Sequence, residues 1–324
     1  MREEKSKERE ASLPCRHVYG PVPSKRLGRS LGVDLVPYKT CTYDCIYCQL
    51  GRTTHKTSER STYMDMDDIL AELEIKLKMG SEPDYISMAG SGEPTLNRDI
   101  GNLIESIKRM TNIPVAVLTN GSLLWQPEVR DALMAADVVL PSLDAGDAAM
   151  FEYVNHPEAR VTFEKMVSGL VDFIREFSGE VWLEVFLLAG VTAIPAEIEK
   201  IVSIVRQLCP RRVQLNTVSR PPAQEFADPV CMAQMESISR LFPGKVEIIS
   251  DLVFTPVPVL EGSRSILPEI LSLLARRPCT IEGVASGLGL TPPEALKHLE
   301  SLRQQDMATA ITMPEGVFYK ASGR

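Results

Sequence analysis

The hydrophobic pattern of this 324-residue chain changes period repeatedly along its length. Between residues 64 and 79, Ile69, Leu70, Leu73 and Leu77 recur at helical spacing, and the acidic turn Asp65-Met-Asp-Asp68 suits the positive end of a helix. A short apolar run, Tyr85 to Gly90, then predicts a strand. Helical spacing returns over about 98–110, followed by the strand Val115 to Thr119. The alternation continues with strands at Asp137–Ser142, Glu180–Leu188 and Arg212–Val218, separated by helical segments near 159–177 and 196–208. Strands and helices in this rhythm imply an α/β fold with a parallel sheet and right-handed crossovers. Six such units after a first strand make a partial (βα)6 barrel, whose chemistry gathers at the C-terminal strand ends.

From about residue 265 the pattern is different. Ile266, Leu267, Ile270, Leu271 and Leu274 mark one amphipathic helix, and Thr280 to Leu288 a short second one. Thr291-Pro-Pro-Glu294 carries an N-cap hydroxyl, a proline at the first helical position and a glutamate three residues on, so a third helix starts there. Residues 307–313 and 317–321 then flank Pro-Glu-Gly as a hairpin. Three helices and a hairpin in this order resemble a winged helix–turn–helix. The chain therefore divides into a charged mobile tail (1–16), a partial barrel (17–262) and a small winged-helix domain (263–324).

Charge changes the picture in two ways. Residues 1–60 carry 12 Lys+Arg against 7 Asp+Glu, whereas residues 61–262 carry 16 against 30. An acidic body repels polyanions and argues against a broad nucleic-acid surface. The third winged-helix helix mixes Lys297, His298 and Arg303 with Glu300, near-neutral chemistry that favours a protein or peptide over DNA. The first ten residues, MREEKSKERE, are charged where a signal peptide is apolar, and no stretch suits a membrane span. A cytoplasmic location is expected, in keeping with an odd number of cysteines, seven, at irregular intervals.

Three of those cysteines carry the chemistry. Cys41, Cys45 and Cys48 stand as C-T-Y-D-C-I-Y-C after the apolar run Gly32-Val-Asp-Leu-Val-Pro37. Thiolates are preferred ligands of iron–sulfur clusters, and three protein ligands on a four-iron cube leave one iron open to bind another molecule. A zinc site and three metal-free thiols are the other readings of the same spacing. The remaining four cysteines, Cys15, Cys209, Cys231 and Cys279, read as small buried or surface thiols, with a second cluster as the alternative.

The C-x3-C-x2-C spacing with aromatic Tyr47 before the last cysteine resembles the hallmark of the radical S-adenosylmethionine (SAM) superfamily. The flanks Gly20-Pro-Val-Pro-Ser-Lys-Arg-Leu-Gly-Arg-Ser-Leu-Gly32 and Cys48-Gln-Leu-Gly51 are similar to Fe–S oxidoreductases related to wyosine-synthesising tRNA enzymes. This resemblance implies a partial barrel, a [4Fe–4S] cluster on Cys41, Cys45 and Cys48, S-adenosyl-L-methionine as cofactor and an external electron donor. Gly90-Ser-Gly-Glu93 resembles the superfamily's glycine–glycine–glutamate segment. There Gly90, Ser91 and Gly92 let backbone carbonyls approach the methionine ammonium, and Glu93 adds negative charge.

Other polar residues fall at useful places. Ser142 and Asp144 close the fourth strand, either as partners of the ribose hydroxyls or methionine carboxylate that the resemblance implies or as a solvated turn. Glu184 shares a strand face with Trp182 and Phe186, as a barrel-interior carboxylate or as half of a structural salt bridge. Lys25, Arg26 and Arg29 lie in Ser24-Lys-Arg-Leu-Gly-Arg-Ser30, where they either grip a substrate anion or neutralise the acidic barrel.

Two functions compete. One is an enzyme that cleaves S-adenosyl-L-methionine to a 5′-deoxyadenosyl radical and abstracts hydrogen from a tRNA, a peptide or protein, or an anionic metabolite. The other is an iron–sulfur redox sensor that regulates DNA binding through the winged helix. A sensor has no need of a glycine–glutamate segment and cofactor-matched strand ends, which favours the enzyme. All the inferred cofactor residues precede residue 220, so the C-terminal domain is expected to act by delivering a substrate or partner, with a structural cap on the barrel as the alternative.

Overall fold

The computed structural model describes residues 17–80, 82–249, 266–314 and 316–322. The charged tail 1–16, Cys15 and the expected boundary at 262/263 lie outside them. Eight strands form one sheet, in the order β1 (Val18–Ser24), β2 (Gly28–Val33), β5 (Tyr85–Met88), β6 (Val115–Thr119), β7 (Val138–Pro141), β8 (Glu180–Leu187), β9 (Arg212–Thr217) and β10 (Val246–Ile248). From β2 onward every neighbouring pair is parallel. Six parallel strands thus follow β2; five of them fall where the alternating pattern predicts, and the short β10 completes the set without a predicted counterpart. Two short strands, β3 (Thr40–Cys41) and β4 (His55–Lys56), pair separately.

Helices α1 (Met66–Lys78), α2 (Ile100–Met110), α3 (Pro127–Leu133), α4 (Ala148–Asn155), α5 (Phe163–Glu176), α6 (Pro195–Leu208) and α7 (Met232–Ser239) supply the crossovers and the outer layer. The Asp65 side chain caps α1 by accepting from the Asp67 and Asp68 amides, while Lys76 and Lys78 sit in its last turn. In β8, Val181, Leu183, Val185 and Leu187 join the main core between sheet and helices. Burying each such side chain is worth roughly 1.5–3 kcal/mol. Trp182 points the other way, into a smaller cluster with Leu27, Ala116, Val138 and Leu140. The alternation read from the sequence holds, and Glu184 follows Trp182 onto the barrel interior.

Three details depart from the sequence reading. The first strand is Gly28–Val33, and the apolar run after it leaves the sheet at Asp34 to become the approach to the cysteine loop. Ser24 to Gly28 is the turn of an antiparallel hairpin whose outer strand, β1, covers one edge of the sheet. Helices α3 and α4, too short for a periodic signal, follow the loops after β6 and β7.

The C-terminal domain has α8 (Leu267–Leu274), α9 (Ile281–Leu288) and α10 (Pro292–Gln304), then the hairpin β11 (Ala308–Met313) and β12 (Gly316–Ala321). The Thr291–Glu294 capping box expected from sequence is present. The core of this domain, built from Ile270, Leu273, Leu299 and Leu302 among others, continues into Val22 and Tyr19 of β1. Arg277 donates to the Pro23 carbonyl at 3.3 Å, and Lys76 of α1 pairs with Glu269 at 3.7 Å. The domain is docked on the hairpin that edges the barrel.

Candidate functional site

The C-terminal strand ends surround a cavity of about 370 Å³. Its wall includes Cys41, Cys45, Gly90, Gly92 and Glu93. Cys48 and Tyr47 face an adjoining recess of about 240 Å³. The cysteine loop is pinned at its base by the β3–β4 pairing and folded by turns in which the Cys48 amide donates to the Cys45 carbonyl and the Gly51 amide to the Cys48 carbonyl. Each thiol has a nitrogen donor beside it. Asn120 Nδ2 lies 3.6 Å from Cys41 Sγ, Asn155 Nδ2 3.4 Å from Cys45 Sγ and Lys39 Nζ 3.3 Å from Cys48 Sγ.

The glycine segment after β5 is stitched to this loop through backbone. The Lys39 amide donates to the Ser91 carbonyl at 2.7 Å, and the Glu93 amide to the Thr40 carbonyl at 3.1 Å. Where the segments cross, a Cβ on Gly92 would lie 1.8 Å from the Thr40 oxygen. Asp34, leaving β2, accepts from the Ser91 amide at 2.9 Å and from the Ser91 hydroxyl. A Cβ on Gly90 would strike its carboxyl carbon at 2.6 Å. Gly90, Ser91, Gly92 and the cysteine loop therefore form one interlocked unit.

Glu93 is 2% exposed and is held by four donors: the Thr95 amide and hydroxyl, the Thr119 hydroxyl and the Asn120 amide. Burial raises its pKa and the donors pull it back down. It anchors the start of the Pro94–Leu96 turn while still forming part of the cavity wall.

On the opposite wall, the Tyr47 ring stacks on Phe186 with centroids 4.0 Å apart, and its hydroxyl donates to Asp144. Asn155 Nδ2 also donates to Asp144, at 2.9 Å, and the Phe186 amide at 3.2 Å. Burial pushes the Asp144 carboxyl up from 3.8 to about 6 against these hydrogen bonds. Ser142 borders both the cavity and the recess.

Glu184 is both things the sequence left open. It lines the cavity, and Arg26 reaches it with two bonds of 2.6 Å while Asn216 Nδ2 donates at 2.8 Å. Lys25 borders the cavity as well, whereas Arg29 lies in β2 and is not among the residues that line it. The C-terminal domain contributes Arg276 and Arg277 to the same wall. The domain therefore borders the site itself, as a cap on the barrel would.

Two sequence comparisons bear on this geometry. A model of the radical SAM superfamily matches residues 35–204, which span the cysteine loop and both walls of the cavity as far as Glu184. The chain belongs to the radical SAM superfamily. Residues 268–310 match a model described as bacterial regulatory protein, arsR family, in keeping with the winged helix. The chain is 33% identical over 253 residues to a UPF0026 protein of Methanocaldococcus jannaschii, covering 78% of each protein. It is 32% identical over 308 residues to a UPF0026 protein of Helicobacter pylori, covering 94% of this chain and 97% of that one. A stretch 42% identical over 276 residues occurs in a Brachyspira hyodysenteriae protein named GTPase Obg, where it spans 85% of this chain but 41% of that protein. A radical SAM methyltransferase from Sphaerobacter thermophilus superposes with a TM-score of 0.50 at 18% identity, over 68% of this chain and 66% of that structure, and shares the fold. The finer likeness to wyosine-synthesising enzymes is not carried by these relatives.

Radical SAM membership implies a [4Fe–4S] cluster and S-adenosyl-L-methionine, and the donor set fits both. Burial, with Glu93 nearby, pushes the Cys41 thiol up to about 12, and burial with Cys41 nearby raises Cys45. Each of the three thiols has a nitrogen donor within 3.3–3.6 Å, the kind of neighbour that stabilises negative cluster sulfur. Among the described residues no three His, Cys, Asp or Glu side chains are grouped as ligands of a single ion.

Sequence reasoning missed Asp34, Asn120, Asn155, Asn216 and Arg276. Asn120 and Asn216 close predicted strands on the active end of a barrel, a positional signal that could have found them. Asn155 ends a helix too short to predict. Nothing in local sequence connects Arg276 with a loop some 180 residues earlier.

Proposed function

We propose that the chain binds a [4Fe–4S] cluster through Cys41, Cys45 and Cys48 and S-adenosyl-L-methionine in the adjoining cavity, the pair supplying reductive cleavage and hydrogen abstraction from a substrate with an anionic group. The observation that carries this reading is the double backbone link, Lys39 to Ser91 and Glu93 to Thr40, that places the cysteine loop against the glycine segment on one cavity.

The chain's own residues then have distinct tasks. Donors from Asn120, Asn155 and Lys39 stabilise negative sulfur. Gly90 and Gly92 leave room for the backbone to approach an ammonium, which the Glu93 carboxylate attracts. Tyr47 and Phe186 offer a flat apolar wall for adenine, with Ser142 as a polar partner for ribose and Asp144, which lines neither cavity nor recess, holding the Tyr47 hydroxyl from behind.

Of the three substrate classes, the cavity favours an anion. Lys25, Arg26, Arg220, Arg276 and Arg277 line it against the carboxylates Glu93 and Glu184, inside a chain whose net charge is −8. An acidic exterior with a cationic interior suits a compact anionic metabolite, or a single phosphate of a larger molecule, better than an extended polyanion.

Anaerobic reconstitution tests the reading. The protein is expected to take up about four irons and four sulfides, and the loaded, reduced form to release 5′-deoxyadenosine and methionine. Replacing the three cysteines by Ala abolishes the charge-transfer absorbance. Stoichiometric zinc without iron under strict anaerobiosis would sink the proposal.

A further inference from the structure

We infer that Arg276 of the winged-helix domain is a positioning residue for the cofactor loop Ala89–Glu93, so that the C-terminal domain is built into the cofactor site. This deepens the function proposed above and rests on it.

Arg276 follows α8, the helix that lies against β1, and is 9% exposed. Its Nη1 is fixed by the Ser272 carbonyl at 3.0 Å and hydroxyl at 2.8 Å, within its own domain. From that anchor the guanidinium crosses to the barrel. Its carbon sits 4.6 Å from the centre of the Tyr19 ring, and its Nε lies 3.4 Å from Asp34 Oδ2. Both partners grip the loop. Tyr19 donates its hydroxyl to the Ala89 carbonyl at 3.0 Å, and Asp34 accepts from the Ser91 amide and hydroxyl. Arg276 thus touches two side chains that between them hold the residues on either side of Gly90.

The physical need for Arg276 follows from burial. Asp34 is 5% exposed, and a buried carboxylate with only neutral donors is poorly held unless a cation offsets its charge. A planar guanidinium can stack on Tyr19 while pairing with Asp34, which an ammonium cannot reproduce. Without that charge, Asp34 is drawn toward water or another cation. Either change loosens its grip on Ser91, whose carbonyl is bonded to the cysteine loop through the Lys39 amide. Coupling is reciprocal, so ligation of the glycine segment must also tighten the seat of the winged-helix domain.

The test uses the full-length, reconstituted enzyme with Arg276→Met, Arg276→Lys and the double variant Asp34→Asn/Arg276→Met, which removes the unpaired charge should the single variant fold poorly. Equilibrium dialysis measures S-adenosyl-L-methionine affinity, and hydrogen exchange in the cluster-free protein reports on the Ser91 amide. The expected result is about a tenfold loss of affinity in Arg276→Met, within the usual range of coupling between sites, with unchanged iron content and faster Ser91 exchange. Arg276→Lys should recover part of the affinity, and the double variant should fold but stay weak. A variant that melts earlier yet binds S-adenosyl-L-methionine like the wild type, with unaltered Ser91 exchange, reduces Arg276 to a fastener between domains and overturns the inference. Wild-type protein that takes up a cluster but never binds S-adenosyl-L-methionine removes the function proposed above, and this inference with it. Wild-type binding with unaffected variants removes the inference alone.

Discussion

Asp144 shows what a functional side chain costs its fold. It is 4% exposed, and its partners are the Tyr47 hydroxyl, the Asn155 amide and the Phe186 N–H, all neutral donors. Burial dominates and holds its pKa at about 6, above the ordinary 3.8. The native state therefore keeps a proton on this group that the unfolded chain has already lost. Stability from this residue is fully present below about pH 4 and is lost as pH rises through about 6, a swing on the order of 3 kcal/mol. Asp144→Asn carries no such charge. It is expected to match or exceed the wild type in thermal stability at pH 8, and to lose that advantage at pH 5. Its affinity for S-adenosyl-L-methionine should fall if the carboxylate's hold on the Tyr47 hydroxyl sets the adenine wall. Parallel melting curves of both proteins across pH 4.5–8 check the stability half, and identical pH profiles would show that Asp144 does not titrate in this window.

Among the elements, the crossing of the cysteine loop with the glycine segment has least room for change. Any side chain at Gly92 meets the Thr40 carbonyl, which is backbone and cannot rotate away. Gly92→Ala should cost about 1–3 kcal/mol through overpacking and lower iron incorporation, because the strain falls on the residue before Cys41. Iron content and melting temperature measured together check this, and full incorporation with native stability would mean the two loops are not interlocked. Much of this architecture was legible beforehand. The cysteines, the glycine segment and the strand face of Trp182, Glu184 and Phe186 are local patterns, and periodicity reveals local patterns. The β1–β2 hairpin was less legible because its sequence, rich in Gly and Pro, reads as a loop. What makes it a strand is pairing with β2 and the apolar cover of the C-terminal domain. The donors to the cysteine sulfurs come from the loop after β6, from the last residue of α4 and from Lys39 beside the motif. Proximity of that kind is created by the fold and leaves no periodic trace.

For the whole molecule, the question is whether the winged-helix domain is an accessory or a wall. Domains joined for delivery usually meet through modest, polar contacts and keep their own cores. Here Val22 and Tyr19 of the barrel's edge hairpin belong to the C-terminal core, and Gly287 of α9 passes so near that an added Cβ would be 3.4 Å from Pro23. Arg276 and Arg277 close the cavity from the same side. A chain truncated after residue 249 should therefore lose more than substrate recruitment. Baring the apolar side of β1 removes buried area from a barrel of about 230 residues, where each kcal/mol is worth roughly 2–4 °C in melting temperature, so a fall of about 5 °C or more is expected. S-adenosyl-L-methionine binding should weaken with it, because Asp34 and Tyr19 lose the guanidinium between them. Calorimetry and dialysis on the truncated protein, loaded with iron and sulfide, decide the matter. A truncated barrel that melts like the full chain and binds the cofactor equally well would show that the domain is an appendage.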